Sequence, residues 1–227
     1  MPPIPPISLG IGAEFIYSFV IIFTSLMIYF GTKEIYSLTS YRGIKYFRQA
    51  FLFFGIAYLC RFFIEFVILS FNVRRIIEVS TYPVVLGYIA LFAFMYLSSI
   101  SIFYLIYSVL WKKFKDKPKS IYIFHAVAIF IALASIFFNN QLFYMGLNVL
   151  LLLSAIILIS LSFYNQRHKT KKNSLLLIYL LLFIFFILNV FNILVPVFME
   201  SLKLLVYLVS LGIFLVILYK VLKKSGD

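Results

Sequence analysis

Residues 83–111 read PVVLGYIALFAFMYLSSISIFYLIYSVLW, a stretch with no charged side chain. A helix needs about 20 mostly apolar residues to cross the roughly 30 Å hydrocarbon core of a bilayer. The stretch exceeds that length, and it lacks the strict polar–apolar alternation that is typical of a membrane β-barrel strand. It therefore predicts a transmembrane helix.

The rest of the chain repeats this pattern. Hydrophobic residues make up 64% of the 227 positions and charged residues 12%, against roughly 45–50% and about 25% in a soluble domain. Because lipid offers the backbone no hydrogen-bond partner, each apolar run should be an α-helix. We predict an all-α, polytopic membrane protein, a seven-transmembrane-helix bundle that forms one membrane domain without a soluble domain. The predicted spans are residues 14–35, 44–70, 83–111, 121–138, 141–163, 175–198 and 201–222.

The basic residues are unevenly distributed between the loops. If the N-terminus is outside, three of the 20 Lys and Arg lie on the outer side, namely Arg74, Arg75 and Lys203. The inner side then carries Lys33, Arg42, Lys45, Arg48, Lys112, Lys113, Lys115, Lys117, Lys119, Arg167, Lys169, Lys171, Lys172, Lys220, Lys223 and Lys224. Cytoplasmic loops are enriched in Lys and Arg. We therefore predict an outer N-terminus and an inner C-terminus, in a multi-pass protein of the plasma membrane.

The net charge of +13 is accounted for by this topology, so we expect no nucleic-acid partner. The inner loops should instead contact anionic lipid headgroups. The loops are too short to form an output domain, so a signal would leave through a membrane or cytoplasmic protein partner. A homo-oligomer is a further alternative.

Two charged residues fall inside the second predicted span. Arg61 lies near its middle, and Glu65 follows one turn later on the same helix face. An isolated Arg at a helix centre costs about 2.5–3.5 kcal/mol on insertion scales, and pairing lowers the cost of both charges. The spacing therefore predicts an ion pair, which either fixes helix packing or lines a polar cavity.

Four further polar residues complete the candidate site. In the predicted topology Glu14, Asn148, Asn189 and Asn192 lie in the outer half of the membrane, as does Glu65. Pro196 removes a backbone donor and clashes with the carbonyl of the residue four positions earlier. Together with Arg61, these residues predict a small polar pocket that opens outward. The alternative is that they join helices by hydrogen bonds.

Three other features have a structural and a functional interpretation. His125 is a lone histidine within a span, for which we expect a packing or hydrogen-bonding role rather than a metal site. Ala128, Ala132 and Ser135 form a small-residue face that suits close helix packing or a homodimer. Tyrosines near the predicted interfaces should form an aromatic belt. These are Tyr17, Tyr29, Tyr36, Tyr41, Tyr46, Tyr82, Tyr164 and Tyr219.

No catalytic motif appears in the sequence. Gly-rich phosphate loops, H-E-x-x-H and G-x-S-x-G are absent, and a single cysteine, Cys60, permits no internal disulfide. We expect no enzyme activity, no metal and no cofactor. The favoured hypothesis is a sensor or receptor-like protein, or the membrane subunit of a complex. A small-solute transporter and an assembly subunit without a ligand are the alternatives.

Overall fold

The computed structural model describes residues 9–74, 82–111, 118–138, 141–164, 178, 180–185, 187–188 and 200–226. These residues lie in seven helical segments and the short turns beside them. The helices are α1 (Leu9–Thr39), α2 (Arg42–Arg74), α3 (Tyr82–Leu110), α4 (Pro118–Phe137), α5 (Gln141–Tyr164), α6 (described at residues 178, 180–185 and 187–188) and α7 (Glu200–Gly226).

The ends of α1 to α5 and of α7 lie within five residues of the corresponding predicted spans, and the ends of the span predicted at 175–198 lie outside the described residues. Proline is favoured in the first turn of a helix, which explains why α4 begins at Pro118, inside the expected inner loop. Within the described residues, four segments are long and apolar enough to cross a membrane: Gly12–Thr39, Arg42–Val67, Val85–Leu110 and Leu204–Lys223. Ile121–Phe137 and Gly146–Leu158 are shorter apolar helices. The chain is therefore a helical membrane protein.

The second and third helices hold the bundle together. Helix α2 packs against α1 and α3, α1 also contacts α7, and α3 contacts α4 and α5. Helix α6 is placed by Phe185, whose ring centroid lies 5.6 Å from that of Phe54 on α2 and 4.7 Å from that of Phe214 on α7. The first two helices and the last therefore share one side of the bundle.

Helix α1 shows how the bundle separates its interior from lipid. Tyr17, Ile21 and Ile28 recur at helical spacing and are buried. The opposite face carries Phe19 and Phe23, which are 64% and 55% exposed. Because lipid tails are as apolar as these rings, the exposed face suits a membrane.

Small residues bring α1 close to its neighbours. A Cβ atom on Gly55 of α2 would lie 3.2 Å from the Cβ of Ser25 on α1. The buried threonines of α1 bond within their own helix, since Thr24 Oγ1 donates to the Val20 carbonyl and Thr32 Oγ1 to the Ile28 carbonyl, each at 2.7 Å. At these positions α1 and α2 are therefore held together by close packing of their surfaces and not by the threonine hydroxyls.

The turn between α1 and α2 is tight. Ser40 has φ 49°, and its N–H donates to the Tyr36 carbonyl at 2.8 Å, as expected for a left-handed residue that ends a helix. Further along α2, Arg48 Nε donates to the Tyr29 carbonyl at 3.0 Å, with the guanidinium 4.7 Å from the centroid of the Tyr29 ring. Arg48 thus ties α2 to α1 near the turn that joins the two helices.

The small-residue face of α4 is covered by the chain itself. Ala128 and Ala132 have no exposed surface, and Ser135 is 3% exposed. The Ser135 hydroxyl donates to the Ile131 carbonyl of its own helix. This burial favours packing within the bundle over the homodimer alternative for the Ala128–Ala132–Ser135 face.

Candidate functional site

The site is built around the ion pair that the spacing predicts. Arg61 Nε donates to Glu65 Oε1 at 3.0 Å, and the two side chains are 16% and 11% exposed. Among the described residues, the guanidinium makes hydrogen bonds through Nε alone. Arginine has five N–H donors in a planar fork, so four remain on the Nη atoms. The pair lowers the cost of burying Arg61 without using all its donors.

Three tyrosines surround the ion pair. The Arg61 guanidinium lies 5.8 Å from the centroid of the Tyr58 ring. The Tyr17 ring is 6.0 Å from Tyr58 and 4.5 Å from Tyr207. Within the part of the chain that the structure describes, Arg61 interacts electrostatically with Glu65 and with the three tyrosines. Because aromatic faces attract cations, the rings provide a favourable environment for the guanidinium.

A second carboxylate, that of Glu14 near the start of α1, contacts one of these tyrosines. The Tyr207 hydroxyl donates to Glu14 Oε1 at 3.0 Å, and the hydroxyls of Tyr17 and Tyr58 interact. We call the residues concerned the arginine–tyrosine cluster: Glu14, Tyr17, Tyr58, Arg61, Glu65 and Tyr207. The cluster joins the first turns of α1, the second half of α2 and the first half of α7.

Two serine hydroxyls lie in the interior near the cluster. Ser18 follows Tyr17 on α1, and Ser210 is one turn beyond Tyr207 on α7; they are 0% and 1% exposed. Among the described residues, neither Oγ atom has a hydrogen-bond partner. Buried polar groups are normally paired, so these two have capacity for an additional donor or acceptor.

The predicted pocket residues divide into groups. Arg61, Glu65 and Glu14 come together through the tyrosines. Asn148 pairs elsewhere, because Ser99 Oγ on α3 donates to its Oδ1 at 3.5 Å and both residues are buried. Asn189, Asn192 and Pro196 lie outside the described residues.

Two of the tyrosines predicted for the aromatic belt are buried in the bundle. Tyr17 and Tyr46 are 1% and 7% exposed and belong to the core, whereas Tyr41 and Tyr219 are 43% and 63% exposed. Tyr17 continues the buried face of α1 at helical spacing from Ile21, and this periodicity was the signal available in the sequence. A tyrosine can be buried when its hydroxyl finds a partner.

His125 joins α4 to α3. Its Nδ1 lies 2.7 Å from the Tyr96 hydroxyl and its Nε2 lies 3.1 Å from the Tyr104 hydroxyl. The Phe53 ring of α2 packs edge-on at 6.3 Å between centroids. These contacts confirm the expected hydrogen-bonding role of His125 and use both ring nitrogens.

Metal ligands are not clustered in the part of the chain that the structure describes, where no three His, Cys, Asp or Glu side chains come together. A small cleft with room for about one water molecule lies between α2, α3 and α6. It is lined by Ala50, Phe51, Phe54, Ser101, Leu105 and Leu182, so it is separate from the arginine–tyrosine cluster.

Comparison with known proteins finds one full-length similarity. An uncharacterized protein of Archaeoglobus fulgidus is 31% identical over 225 residues, which cover 98% of this chain and 96% of the relative. No family model matches the chain, and no solved structure matches it. The two chains therefore correspond along nearly their whole length.

Proposed function

We propose that this chain, which belongs to the same family as the Archaeoglobus fulgidus protein, is a non-enzymatic membrane sensor or receptor-like protein, or the membrane subunit of a complex. The observation that supports this proposal is the arginine–tyrosine cluster. Ionisable residues within spans are costly and are functional-site candidates by default. Here they are gathered from three helices at one end of the bundle.

The proposed topology has seven spans in the plasma membrane, with the N-terminus outside. Consecutive helices α1 and α2 are joined by a two-residue turn, so their basic ends lie together. These ends and the end of α7 carry Lys33, Arg42, Lys45, Lys220 and Lys223. The cluster occupies the opposite halves of the same helices and therefore opens outward in this topology.

The proposed ligand is small and amphipathic, with an oxyanion. The Nη donors of Arg61 suit a carboxylate or phosphate oxygen, because the planar fork matches both groups. The rings of Tyr17, Tyr58 and Tyr207 offer an apolar wall for an attached chain. Glu65 offsets part of the positive charge, so the ligand must also gain from apolar contact.

A thermal-shift experiment tests the proposal with octanoate as the probe and methyl octanoate as the uncharged control. Binding to the folded protein raises the unfolding midpoint. Octanoate should raise it for the wild type and for Arg42→Gln, but not for Arg61→Gln. No shift with octanoate, or an equal shift with the ester, would contradict the oxyanion site.

Water access provides a second test. In a Cys60→Ala background, cysteine at Asn148 is compared with cysteine at Leu150, which lies on the same helix and is 63% exposed on the lipid-facing surface. A wet pocket that extends from the arginine–tyrosine cluster to α5 predicts labelling from outside by a membrane-impermeant thiol reagent at 148 but not at 150, whereas a site confined to the cluster predicts labelling at neither position. Cysteines at Asn189 and Asn192 extend the test to α6.

One observation favours an assembly subunit as the second candidate function. The Ser99–Asn148 and Glu14–Tyr207 pairs each join two helices, as expected for residues that only hold a bundle together. Under that alternative, none of the three asparagine positions is labelled and octanoate has no effect. A small-solute transporter would use the same cluster and would show labelling from both sides of the membrane.

A further inference from the structure

A second arginine of α2 lies toward the basic end of the bundle, away from the arginine–tyrosine cluster. Arg48 Nε donates to the Tyr29 carbonyl at 3.0 Å, and the guanidinium lies 4.7 Å and 6.0 Å from the centroids of the Tyr29 and Tyr36 rings. Arg48 and Arg61 are 13 residues apart on α2, or about 20 Å at the α-helical rise. A carbonyl oxygen and two ring faces of α1 therefore hold the Arg48 guanidinium in a fixed position.

The charge of Arg48 is not neutralised within the part of the chain that the structure describes. Among those residues its hydrogen-bond partner is the Tyr29 carbonyl, and no carboxylate pairs with it. Aromatic faces attract the cation but do not cancel its charge, and four N–H donors are left on the Nη atoms. Arg61 has Glu65 as its counter-ion, whereas Arg48 keeps its charge and its Nη donors for another anion.

Two lysines flank this guanidinium. Lys33 lies on α1 between Tyr29 and Tyr36, at spacings of four and three residues that place all three on one face. Lys45 is three residues before Arg48 on α2 and shares its face in the same way. Both lysines are exposed. We call these five residues the Arg48 groove: Tyr29, Lys33, Tyr36, Lys45 and Arg48.

The Arg48 groove carries an excess of positive charge. Its three cations have one carboxylate close by in the sequence, that of Glu34, which is exposed and follows Lys33 about 100° round α1. Three positive charges and one negative charge leave an excess of two positive charges. A phosphate monoester carries about 1.5 to 2 negative charges at pH 7, and the planar guanidinium fork matches its oxygens. The groove therefore favours a phosphate over a singly charged carboxylate.

Apolar side chains continue the Arg48 groove toward the middle of the bundle. On α1, Phe30 precedes Lys33 by one turn and is 61% exposed. On α2, Leu52 and Leu59 follow Arg48 at spacings of 4 and 11 residues, which keep them on its face, and Leu59 is 42% exposed. A ligand held by the three cations would therefore meet apolar surface on the side of the hydrocarbon core.

The depth of Arg48 suits contact with a lipid headgroup. The apolar segment Arg42–Val67 has 26 residues, about 39 Å at the α-helical rise, which is close to the roughly 40–45 Å of a bilayer with its headgroups. Arg48 lies six residues inside this segment, or about 9 Å from its start. Its Cα atom is therefore near the boundary between headgroups and acyl chains, from which a long arginine side chain reaches the headgroups.

We propose that the Arg48 groove binds an anionic membrane lipid whose headgroup is a phosphate monoester, in the leaflet at the basic end of the bundle. The Nη donors of Arg48 contact the phosphate oxygens, Lys33 and Lys45 supply the remaining positive charge, and the lipid chains lie along Phe30 and Leu59. Such a site holds one lipid in one place, in contrast to the general attraction between basic loops and headgroups. It exists whatever binds at the arginine–tyrosine cluster.

Native mass spectrometry of the detergent-solubilised full chain tests the site with dioleoylphosphatidic acid as the probe, because it counts the lipids bound to each chain. The first phosphatidic acid should bind at least about tenfold more tightly than the first dioleoylphosphatidylcholine, since hydrogen bonds to charged groups contribute that factor or more. Inorganic phosphate at millimolar concentration should not displace the lipid, because it makes no apolar contact. Displacement by inorganic phosphate, or equal affinity for the two lipids, would overturn the proposal.

Two variants with the same loss of charge separate the site from general attraction. Arg48→Gln should weaken binding of the first phosphatidic acid by at least about tenfold. Lys223→Gln is the matched control, because Lys223 is an exposed cation 6.0 Å from the centroid of the Tyr219 ring. Helix α7 approaches α1 at Gly31, about 160° round α1 from Lys33. The control should change the affinity by less than about twofold, because charges more than a Debye length apart are largely screened. Equal losses in the two variants would overturn the proposal.

A third variant covers the case in which Arg48→Gln fails to fold, since Arg48 also joins α2 to α1. Lys33→Gln combined with Lys45→Gln changes two exposed side chains and leaves the contact between Arg48 and Tyr29 in place. Each charge near a membrane surface contributes about fivefold to lipid binding, so the double variant should lose about 25-fold. An unchanged affinity would show that the lipid binds elsewhere on the protein and would overturn the proposal.

Discussion

The hydroxyl of Tyr207 on α7 donates to Oε1 of Glu14 on α1 at 3.0 Å, across 193 positions of sequence. This hydrogen bond joins the first helix of the bundle to the last. Since Tyr17 lies against the Tyr207 ring, the same contact positions one wall of the arginine–tyrosine cluster. The position of α7 in the bundle therefore depends on that of α1, and the reverse.

Tyr207→Phe should therefore loosen α7 from α1. Removing one hydrogen bond to a charged group while keeping the ring should lower the free energy of unfolding by about 1.5 kcal/mol. Unfolding in dodecyl sulfate, followed by circular dichroism, measures the change. Tyr219→Phe, an exposed tyrosine on α7, should have no effect, and equal losses in the two variants would refute the role of the bond.

Arg61 and Glu65 should be energetically coupled. Removing one partner leaves a desolvated charge, so the double alanine variant should lose less stability than the sum of the single variants. Measured intramembrane polar couplings average about 0.6 kcal/mol and reach about 1.7 kcal/mol, which sets the expected range. A coupling of zero would show that the two side chains rely on different partners.

Gly43 should not tolerate a methyl group. A Cβ there would lie 2.8 Å from the Ser108 carbonyl oxygen and 3.2 Å from Trp111 Nε1, at the junction of α2 with the end of α3. Gly43→Ala should cost about 1–3 kcal/mol through overpacking. Gly146→Ala, where nothing lies within 4 Å, should instead gain about 1 kcal/mol from helix propensity.

Replacing Ser40 with glycine should stabilise the folded protein. Its φ of 49° costs a residue with a Cβ about 1–2 kcal/mol, so Ser40→Gly should raise the unfolding midpoint. Ser37→Gly, in the last turns of α1, should lower it, because glycine is unfavourable within a helix. A lower midpoint for Ser40→Gly would show that the serine side chain is needed in the turn.

Reporter fusions test the orientation of the whole chain. Fusions after Lys117 and Lys171 should report a cytoplasmic location, and a fusion at Glu78 an external one, because the Lys and Arg residues favour that arrangement. A fusion after Arg42 serves as an internal standard for the first inner loop. A cytoplasmic signal at Glu78 would invert the proposed direction of the cluster.

The sequence predicted the helices and the Arg61–Glu65 pair because both depend on local spacing. Apolar runs decide which segments become helices, and residues four apart share a face whatever surrounds them. The partners contributed by other helices were not predictable in this way. Tyr207 and Tyr17 meet only because α1 and α7 adopt particular rotations, and several rotations would bury an equally apolar face.

His125 and Asn148 show the same limit of prediction from sequence. A polar side chain in a span implies that some partner exists, but not which helix supplies it. His125 finds two phenols on α3, and Asn148 finds Ser99 rather than Arg61. The predicted depth in the membrane assigned Asn148 to the same candidate site as Arg61. In the structure α5 packs against α3, and Asn148 therefore pairs with a residue of α3.

The buried hydroxyls of α1 have a mechanical consequence. Thr24 and Thr32 donate to carbonyls of their own helix, so these two hydroxyls form no bond to α2 that must break when the two helices move. Arg48, which holds the Tyr29 carbonyl, acts as the pivot near one end. A tilt of α1 about that pivot costs dispersion contacts along the middle of the helix, and at the far end it must also strain the Tyr17–Tyr58 and Glu14–Tyr207 contacts. Any such motion of α1 is therefore coupled to the arginine–tyrosine cluster.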